Sequence, residues 1–187
     1  KTGLAGTSTC KCDKCGKFKT FYRSCGNRNC PLCQYHRNEQ WLDKRLKEQL
    51  PGAYFMVTFT VPEELRSFLY SSQKIGYSAL FKAAAETLKT LLANPKYVGG
   101  DLPGFFGVLH TWGGQLQYHP HIHFIVPGGA FSTADGKWNK AHDGFLAPVH
   151  AMSKLFRAKF HAEMKKLGEE RFINPDVWKV AWNVNSQ

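Results

Sequence analysis

The chain has 187 residues, of which 43% are hydrophobic and 14% aromatic, a composition that is typical of a folded globular protein and excludes a disordered one. Its formal net charge of +11 favours a polyanionic partner, either a nucleic acid or an anionic membrane. The sequence has no run near the roughly 18 apolar residues of a membrane span, and residues 1–4 lack the apolar segment of a signal peptide. We therefore expect a nucleic-acid partner, no membrane, and a location in the bacterial cytoplasm.

The N-terminal 50 residues carry seven of the eleven excess positive charges. Residues 1–34 are rich in cysteine, lysine and glycine and show little apolar periodicity, whereas residues 35–50 have the three- to four-residue apolar spacing of a helix. Pro51 and Gly52 should end that helix. We predict a zinc-binding module with a linker helix over residues 1–50 and a second domain over residues 51–187.

The second domain alternates β-rich runs with helical stretches. In chain order we predict a strand over 54–61, a helix opened by Pro62, a long helix over 77–93, strands over 105–112 and 119–126, an exposed loop or hairpin over 130–144, a helix over 153–167 and a last strand over 177–184. Strands separated by helices, with a hairpin between them, predict an α+β fold on an antiparallel sheet flanked by helices.

All six cysteines lie between Cys10 and Cys33, in a chain without signs of secretion, so they are better metal ligands than disulfides. Two CxxC turns can present four thiolates to one tetrahedral ion. The predicted ligands of a structural Zn²⁺ are Cys12, Cys15, Cys30 and Cys33. Cys25 is the reserve ligand, and Cys10 has no assigned role.

Basic residues in two places are candidates for contacts with DNA phosphates. Arg23 and Arg28 lie among aromatic residues in the zinc-binding module, where rings can stack on unpaired bases. Lys154, Arg157 and Lys159 lie on the predicted basic helix over 153–167.

Three histidines alternate at positions 119, 121 and 123, so on a strand they point to one face. A turn centred near residues 115–116 would pair this strand with the preceding one and set His110 opposite His121, and Trp112 opposite His119. We therefore predict that His110, His121 and His123 bind one catalytic divalent ion, with Gln115 and His119 in reserve. A one-residue change of register would move His110 to the other face.

The tripeptide His121-Ile122-His123 resembles the motif of the HUH (His-hydrophobe-His) endonucleases, which nick single-stranded DNA with a tyrosine nucleophile. Further stretches resemble one branch, the Helitron-related transposases of rolling-circle insertion sequences with an N-terminal zinc-binding domain, and these are residues 24–34, 109–113, 118–129 and 144–160. The resemblance implies a five-stranded HUH-type antiparallel sheet, Mg²⁺ or Mn²⁺ at the histidines, and transesterification through a 5′-phosphotyrosine. The implied partner is DNA, single-stranded at the transposon end.

The chain departs from this family at two points. Asn29 stands where the family often has a histidine, which leaves the four-cysteine interpretation intact. The family's nucleophilic tyrosines lie downstream of the matched region, and no tyrosine follows Tyr118. We therefore expect a C-terminally truncated chain that binds metal and DNA, with His121 and His123 in the active site, and cannot form the covalent intermediate.

Two other functions fit parts of the sequence. The histidine-triad nucleotide hydrolases and transferases also carry alternating histidines, and there His121 would attack a nucleotide phosphate without a metal. Pro120 inside the triad and the cysteine module argue against this alternative. The second alternative is a non-catalytic, zinc-containing nucleic-acid-binding protein.

Overall fold

The computed structural model describes residues 6–50 and 52–187. The backbone contacts divide the chain into two units, residues 1–51 and residues 52–187.

The first unit contains a hairpin and one helix. The strands are β1 (Thr7–Lys11) and β2 (Phe18–Tyr22), and the helix is α1 (Pro31–Lys47). The hairpin was not predicted from the sequence, because nearly all of its side chains are exposed and it therefore lacks the alternation of apolar and polar residues that marks a half-buried strand. Backbone hydrogen bonds hold its turn, from Cys12 N to Lys17 O and from Gly16 N to Cys12 O, both at 2.8 Å. Helix α1 begins four residues before the predicted start.

The second unit is built on an antiparallel sheet. Its strands and helices are β3 (Tyr54–Thr60), α2 (Arg66–Ser71), α3 (Gln73–Leu92), β4 (Phe106–Trp112), β5 (Tyr118–Pro127), the hairpin β6 (Gly129–Ser132) and β7 (Lys137–Lys140), α4 (Val149–Leu167) and β8 (Asn183–Ser186). Four of the strands form the sheet, in the order β4-β5-β3-β8. The predicted α+β class, with an antiparallel sheet flanked by helices, is confirmed. The sheet has four strands within the described residues, where the resemblance implies five.

Helices α3 and α4 cover one face of the sheet. Strand β5 alternates buried and half-buried residues, and its buried positions Ile122 and Phe124 point toward the helices. The Phe59 ring packs edge-on against Phe156 of α4 at 4.9 Å between centroids, and Phe124 meets Phe81 of α3 at 6.2 Å. Burying these aromatic side chains supplies the main driving force for this layer, at about 3–5 kcal/mol for each Phe→Ala loss.

The histidine-bearing face of the sheet is half-exposed. Val108 and Trp112 of β4 are 51% and 52% exposed, and Met56 of β3 is 38% exposed. Because period-two alternation sends neighbouring residues to opposite faces, the buried layer beneath β5 fixes which of its residues face this open side.

The predicted strand over 177–184 is wrong in its first half. A 3-10 helix occupies Pro175–Trp178, and the strand is limited to Asn183–Ser186. The Asn174 side chain accepts a hydrogen bond from Asp176 N and caps the turn, and Trp182 Nε1 donates to Val177 O. These local bonds satisfy polar groups that a strand would have to pair with a neighbour.

Candidate active site

Three imidazoles meet on the half-exposed face of the sheet. The nitrogen atoms that could bind a metal in His110, His121 and His123 lie within 4.8 Å of one another. The ring centroids are 5.3 Å apart for His110 and His121, 4.6 Å for His110 and His123, and 4.8 Å for His121 and His123. The strand register sets His110 directly opposite His121, as expected from the sequence. We call these three residues the histidine cluster.

Hydrogen bonds orient two rings of the histidine cluster. His121 Nδ1 lies 2.7 Å from the backbone oxygen of His119, which can only accept, so Nδ1 carries the proton and Nε2 is left with a lone pair. His123 Nδ1 lies 2.9 Å from Thr58 Oγ1 on the neighbouring strand β3. Metal-binding histidines commonly donate their second ring nitrogen to such an oxygen, which fixes the ring and its tautomer. The cluster therefore has the donor set and the supporting contacts of a metal site.

Burial and the neighbouring imidazoles favour the neutral form of His123. Desolvation lowers the pKa of His123, with a further lowering from His121 and His110. A neutral imidazole is the form that binds a metal ion, so the environment favours ligand function near neutral pH.

His119 lies outside the cluster and has a different partner. Its Nδ1 is 2.8 Å from Nη2 of Arg66, and since a guanidinium can only donate, His119 accepts. Desolvation, then Arg66 and His121, lower the pKa of His119. The reserve residue Gln115 lies in the exposed turn between β4 and β5, where its backbone N–H donates to Gln117 Oε1.

The predicted partner of Trp112 is wrong. Trp112 pairs with Tyr118 rather than with His119, because the register is irregular between His110 and Trp112 and β5 has one residue more than β4 there. The Trp112 ring stacks on His110 at 5.1 Å with an interplanar angle of 16°. An exposed indole therefore borders the histidine cluster, a feature that the sequence pattern did not point to.

Tyr118 lies next to the site in sequence but is engaged elsewhere. Its hydroxyl is 2.7 Å from the Tyr77 hydroxyl, and its ring packs edge-on against Tyr70 at 5.3 Å. Burial, followed by the hydrogen bond to Tyr77, raises the pKa of the Tyr118 phenol. A phenol that resists ionisation is a poor nucleophile.

Three of the six cysteines come together in the described structure. The sulfur atoms of Cys25, Cys30 and Cys33 lie within 4.8 Å of one another, and Cys12 and Cys15 lie outside that group. The Cys25 thiol and the Gly26 backbone N–H lower the pKa of Cys33 to about 7. The backbone N–H of Cys15 lowers the pKa of Cys12. Cys25, predicted only as a reserve ligand, therefore lies beside the second CxxC pair, Cys30 and Cys33.

The predicted DNA-binding residues have unequal freedom to contact a phosphate. Arg23 Nε donates to Ser8 Oγ at 3.0 Å within the hairpin, and Arg28 is exposed. On α4, Arg157 Nη1 donates to the Val180 carbonyl at 2.9 Å.

Lys154 is exposed and Lys159 is half-buried, and helix α4 covers the sheet face opposite the histidine cluster. A single DNA strand that crosses the histidine cluster would have to pass around the sheet to reach this helix.

None of the helices in residues 6–50 and 52–187 has the length and apolar character of a membrane span.

Two protein families match successive parts of the chain. Residues 1–61 match the family described as "Transposase zinc-binding domain", of the IS91 type, and residues 104–187 match the family described as "Putative transposase".

Two curated proteins and a solved structure are similar to parts of this chain. The chain is 42% identical over 166 residues to "Putative transposase y4qJ" of Sinorhizobium fredii (strain NBRC 101917 / NGR234), covering 89% of this chain and 42% of the relative. It is 31% identical over 131 residues to the "Transposase for insertion sequence element IS801" of Pseudomonas savastanoi pv. phaseolicola, covering 70% of this chain and 30% of the relative. A conjugative relaxase TrwC in complex with oriT DNA superposes on 60% of this chain, and 42% of its own, with a TM-score of 0.45 and 16% identity.

The chain spans less than half the length of the curated relatives that it matches. In this chain the segment that matches the zinc-binding domain family comes first, and His110, His121 and His123 lie in the segment that matches the putative transposase family. The chain is therefore similar to transposases in two successive segments, of which residues 1–61 match the IS91-type zinc-binding domain family and residues 104–187 match the putative transposase family.

Proposed function

We propose that this chain is the metal- and DNA-binding part of a transposase that cuts single-stranded DNA at a transposon end and transfers the strand through a 5′-phosphotyrosine. The observation that carries the proposal is the histidine cluster, whose three imidazoles converge on an open sheet face in a chain with a net charge of +11. Three imidazole ligands with room for further ligands are typical of catalytic metal sites rather than structural ones.

The chain's own residues would hold and orient the site. Mg²⁺ or Mn²⁺ bound by His110, His121 and His123 would supply a Lewis acid for a phosphodiester oxygen. The His119 carbonyl and the Thr58 hydroxyl keep Nδ1 of His121 and His123 occupied, so that Nε2 of each ring is available. Trp112 offers an exposed ring for an unpaired base beside the cluster.

We propose further that none of the tyrosines in this chain is the nucleophile. Tyr118 is the tyrosine closest in sequence to the cluster, and its hydroxyl is held by Tyr77 with its pKa raised. On this proposal the chain alone binds single-stranded DNA but leaves no tyrosine-linked product. A nicking assay with Mn²⁺ and a labelled oligonucleotide tests it, and efficient cleavage with a label bound to the protein would refute it.

We propose that the first unit binds one structural Zn²⁺ with Cys30 and Cys33 as two of its ligands. Cys12, Cys15 and Cys25 are the candidates for the remaining positions, with Cys25 favoured by its place in the three-cysteine group. Four thiolates satisfy a tetrahedral zinc ion, and metal binding would stabilise a unit whose hairpin is almost fully exposed. Arg23 and Arg28 on the same unit, and Lys154, Arg157 and Lys159 on α4, are the proposed phosphate contacts.

The test of the whole proposal is a pair of binding measurements on the chain. Mn²⁺ affinity is measured by calorimetry, and single-stranded DNA affinity by fluorescence anisotropy with and without Mn²⁺. We expect His121→Ala and His123→Ala each to abolish tight Mn²⁺ binding, and His150→Ala, an exposed histidine at the start of α4, to leave it unchanged. Nucleotide hydrolysis that survives chelation would instead support the histidine-triad alternative.

A further inference from the structure

Arg66 lies in the first turn of α2 and reaches the sheet beside the histidine cluster. Its side chain is only 23% exposed. Nη2 donates to His119 Nδ1 at 2.8 Å, and Nη1 is 3.3 Å from Glu63 Oε1. The backbone oxygen of the same His119 accepts a hydrogen bond from His121, so His119 links the Arg66 guanidinium to the histidine cluster.

The guanidinium has unused bonding capacity. It carries five N–H donors, and within the described residues its Nε is buried without a hydrogen-bond partner. Its only acidic partner in the described structure is Glu63, whose side chain is 80% exposed. Such a half-solvated ion pair contributes little stability, so an anion that fits the guanidinium better can displace the carboxylate. The hydrogen bond to His119 meanwhile holds one end of the guanidinium at strand β5.

We propose that Arg66 is a phosphate-binding residue that holds a backbone phosphate of single-stranded DNA next to the phosphate at the histidine cluster. The inference rests on the proposed function, because it requires DNA to cross this face. A planar guanidinium matches two phosphate oxygens at once, which fixes position as well as charge. Glu63 occupies the same donor in the absence of DNA and competes with the phosphate.

Two pairs of substitutions with equal charge changes test this. Arg66→Gln and Arg171→Gln each remove one guanidinium, and Arg171 is an exposed residue that contacts Phe172. Glu63→Gln and Glu64→Gln each remove one carboxylate from adjacent exposed positions, and only Glu63 is bonded to Arg66. The readouts are anisotropy of a labelled single-stranded oligonucleotide over a series of salt concentrations and Mn²⁺ affinity by calorimetry.

We expect Arg66→Gln to weaken DNA binding about tenfold and to reduce the slope of log affinity against log salt by about 0.7, the value for one phosphate contact on a single strand. Arg66→Lys should keep the salt dependence and lose affinity, because an ammonium retains the charge but cannot donate two parallel hydrogen bonds to one phosphate. Glu63→Gln should raise the affinity more than Glu64→Gln. Mn²⁺ affinity should stay unchanged in both Arg66 variants.

The outcomes separate the two proposals. If the wild type binds DNA and Mn²⁺ but Arg66→Gln binds DNA no more weakly than Arg171→Gln, the proposed role of Arg66 is overturned and the proposed function is not. A loss of Mn²⁺ affinity in Arg66→Gln overturns it too, since Arg66 would then act by supporting the cluster. A wild-type chain that binds neither oligonucleotide nor Mn²⁺ overturns the proposed function and this inference together.

Discussion

Replacing Thr58 with valine should weaken metal binding without unfolding the protein. The Thr58 hydroxyl is 2.9 Å from Nδ1 of His123, and it would accept a hydrogen bond from Nδ1 if Nε2 holds the proposed ion. Loss of the hydrogen-bond partner of a metal-binding histidine typically lowers metal affinity about 10- to 100-fold. That range corresponds to about 1.4–2.7 kcal/mol of binding free energy. Calorimetric titration with Mn²⁺ measures it directly.

The fold should tolerate the change. Valine is close to threonine in shape and favours a strand, and Thr58 is on the half-buried face rather than in the core. We expect the free energy of unfolding in urea to change by less than about 1 kcal/mol. Thr58→Ser, which keeps the hydroxyl, should retain most of the metal affinity.

The matched control is Thr60→Val, two residues along the same strand and face. Thr60 lies opposite His121, whose Nδ1 is held by a backbone carbonyl that the substitution does not remove. Metal affinity in Thr60→Val should therefore stay near that of the wild type. Equal Mn²⁺ affinities in the two valine variants would show that the Thr58 hydroxyl does not support the site.

Three further predictions concern pH, the cysteines and the core. Because burial lowers the pKa of His123, the unfolded chain binds a proton at His123 below about pH 6.5 more readily than the folded chain does. The urea midpoint of the metal-free protein should therefore fall as the pH drops through about 6.5, and it should fall less in His123→Gln. Equal pH dependence in the two proteins would contradict this. Cys25→Ser should lower the zinc content found by mass spectrometry, whereas Cys10→Ser should not, and equal zinc content would remove Cys25 from the ligand set. Gly107→Ala should lower the free energy of unfolding in urea by about 1–3 kcal/mol, since the added Cβ would lie 2.6 Å from the ring of Phe124. Gly104→Ala, whose added Cβ would have no atom within 4 Å, should change the free energy of unfolding little. Equal changes in the two variants would contradict the packing argument.

The role of each histidine was only partly predictable. Alternation along one strand is a local property, and it was enough to put His121 and His123 on one face. The addition of His110 required a register between two strands, which the sequence could only suggest through the position of the turn. The fate of His119 depended on Arg66, which lies 53 residues away along the chain, and no local pattern connects the two.

The cysteines of the first unit were also only partly predictable from the sequence. Spacing alone identified two CxxC pairs, because the turn that presents two thiolates to one ion is a short-range structure. Cys25 has no such partner in sequence, and its approach to Cys33, with the two sulfur atoms 3.4 Å apart, depends on the path of the loop before α1. The exposed hairpin was missed since it buries too little apolar surface to leave a periodic pattern.

The sequence by itself determined the α+β class, the order of most elements, the two cysteine pairs and the histidine-bearing strand, since all of these depend on spacing and periodicity within about 20 residues. The tertiary structure decided which strands are neighbours, and with that the convergence of His110 on His121 and His123 and the support from Thr58. It also separated the histidine face from the basic helix α4, which lies behind the sheet. Contacts between distant segments arise from burying a shared core, and a one-dimensional pattern records which residues are buried but not what they are buried against.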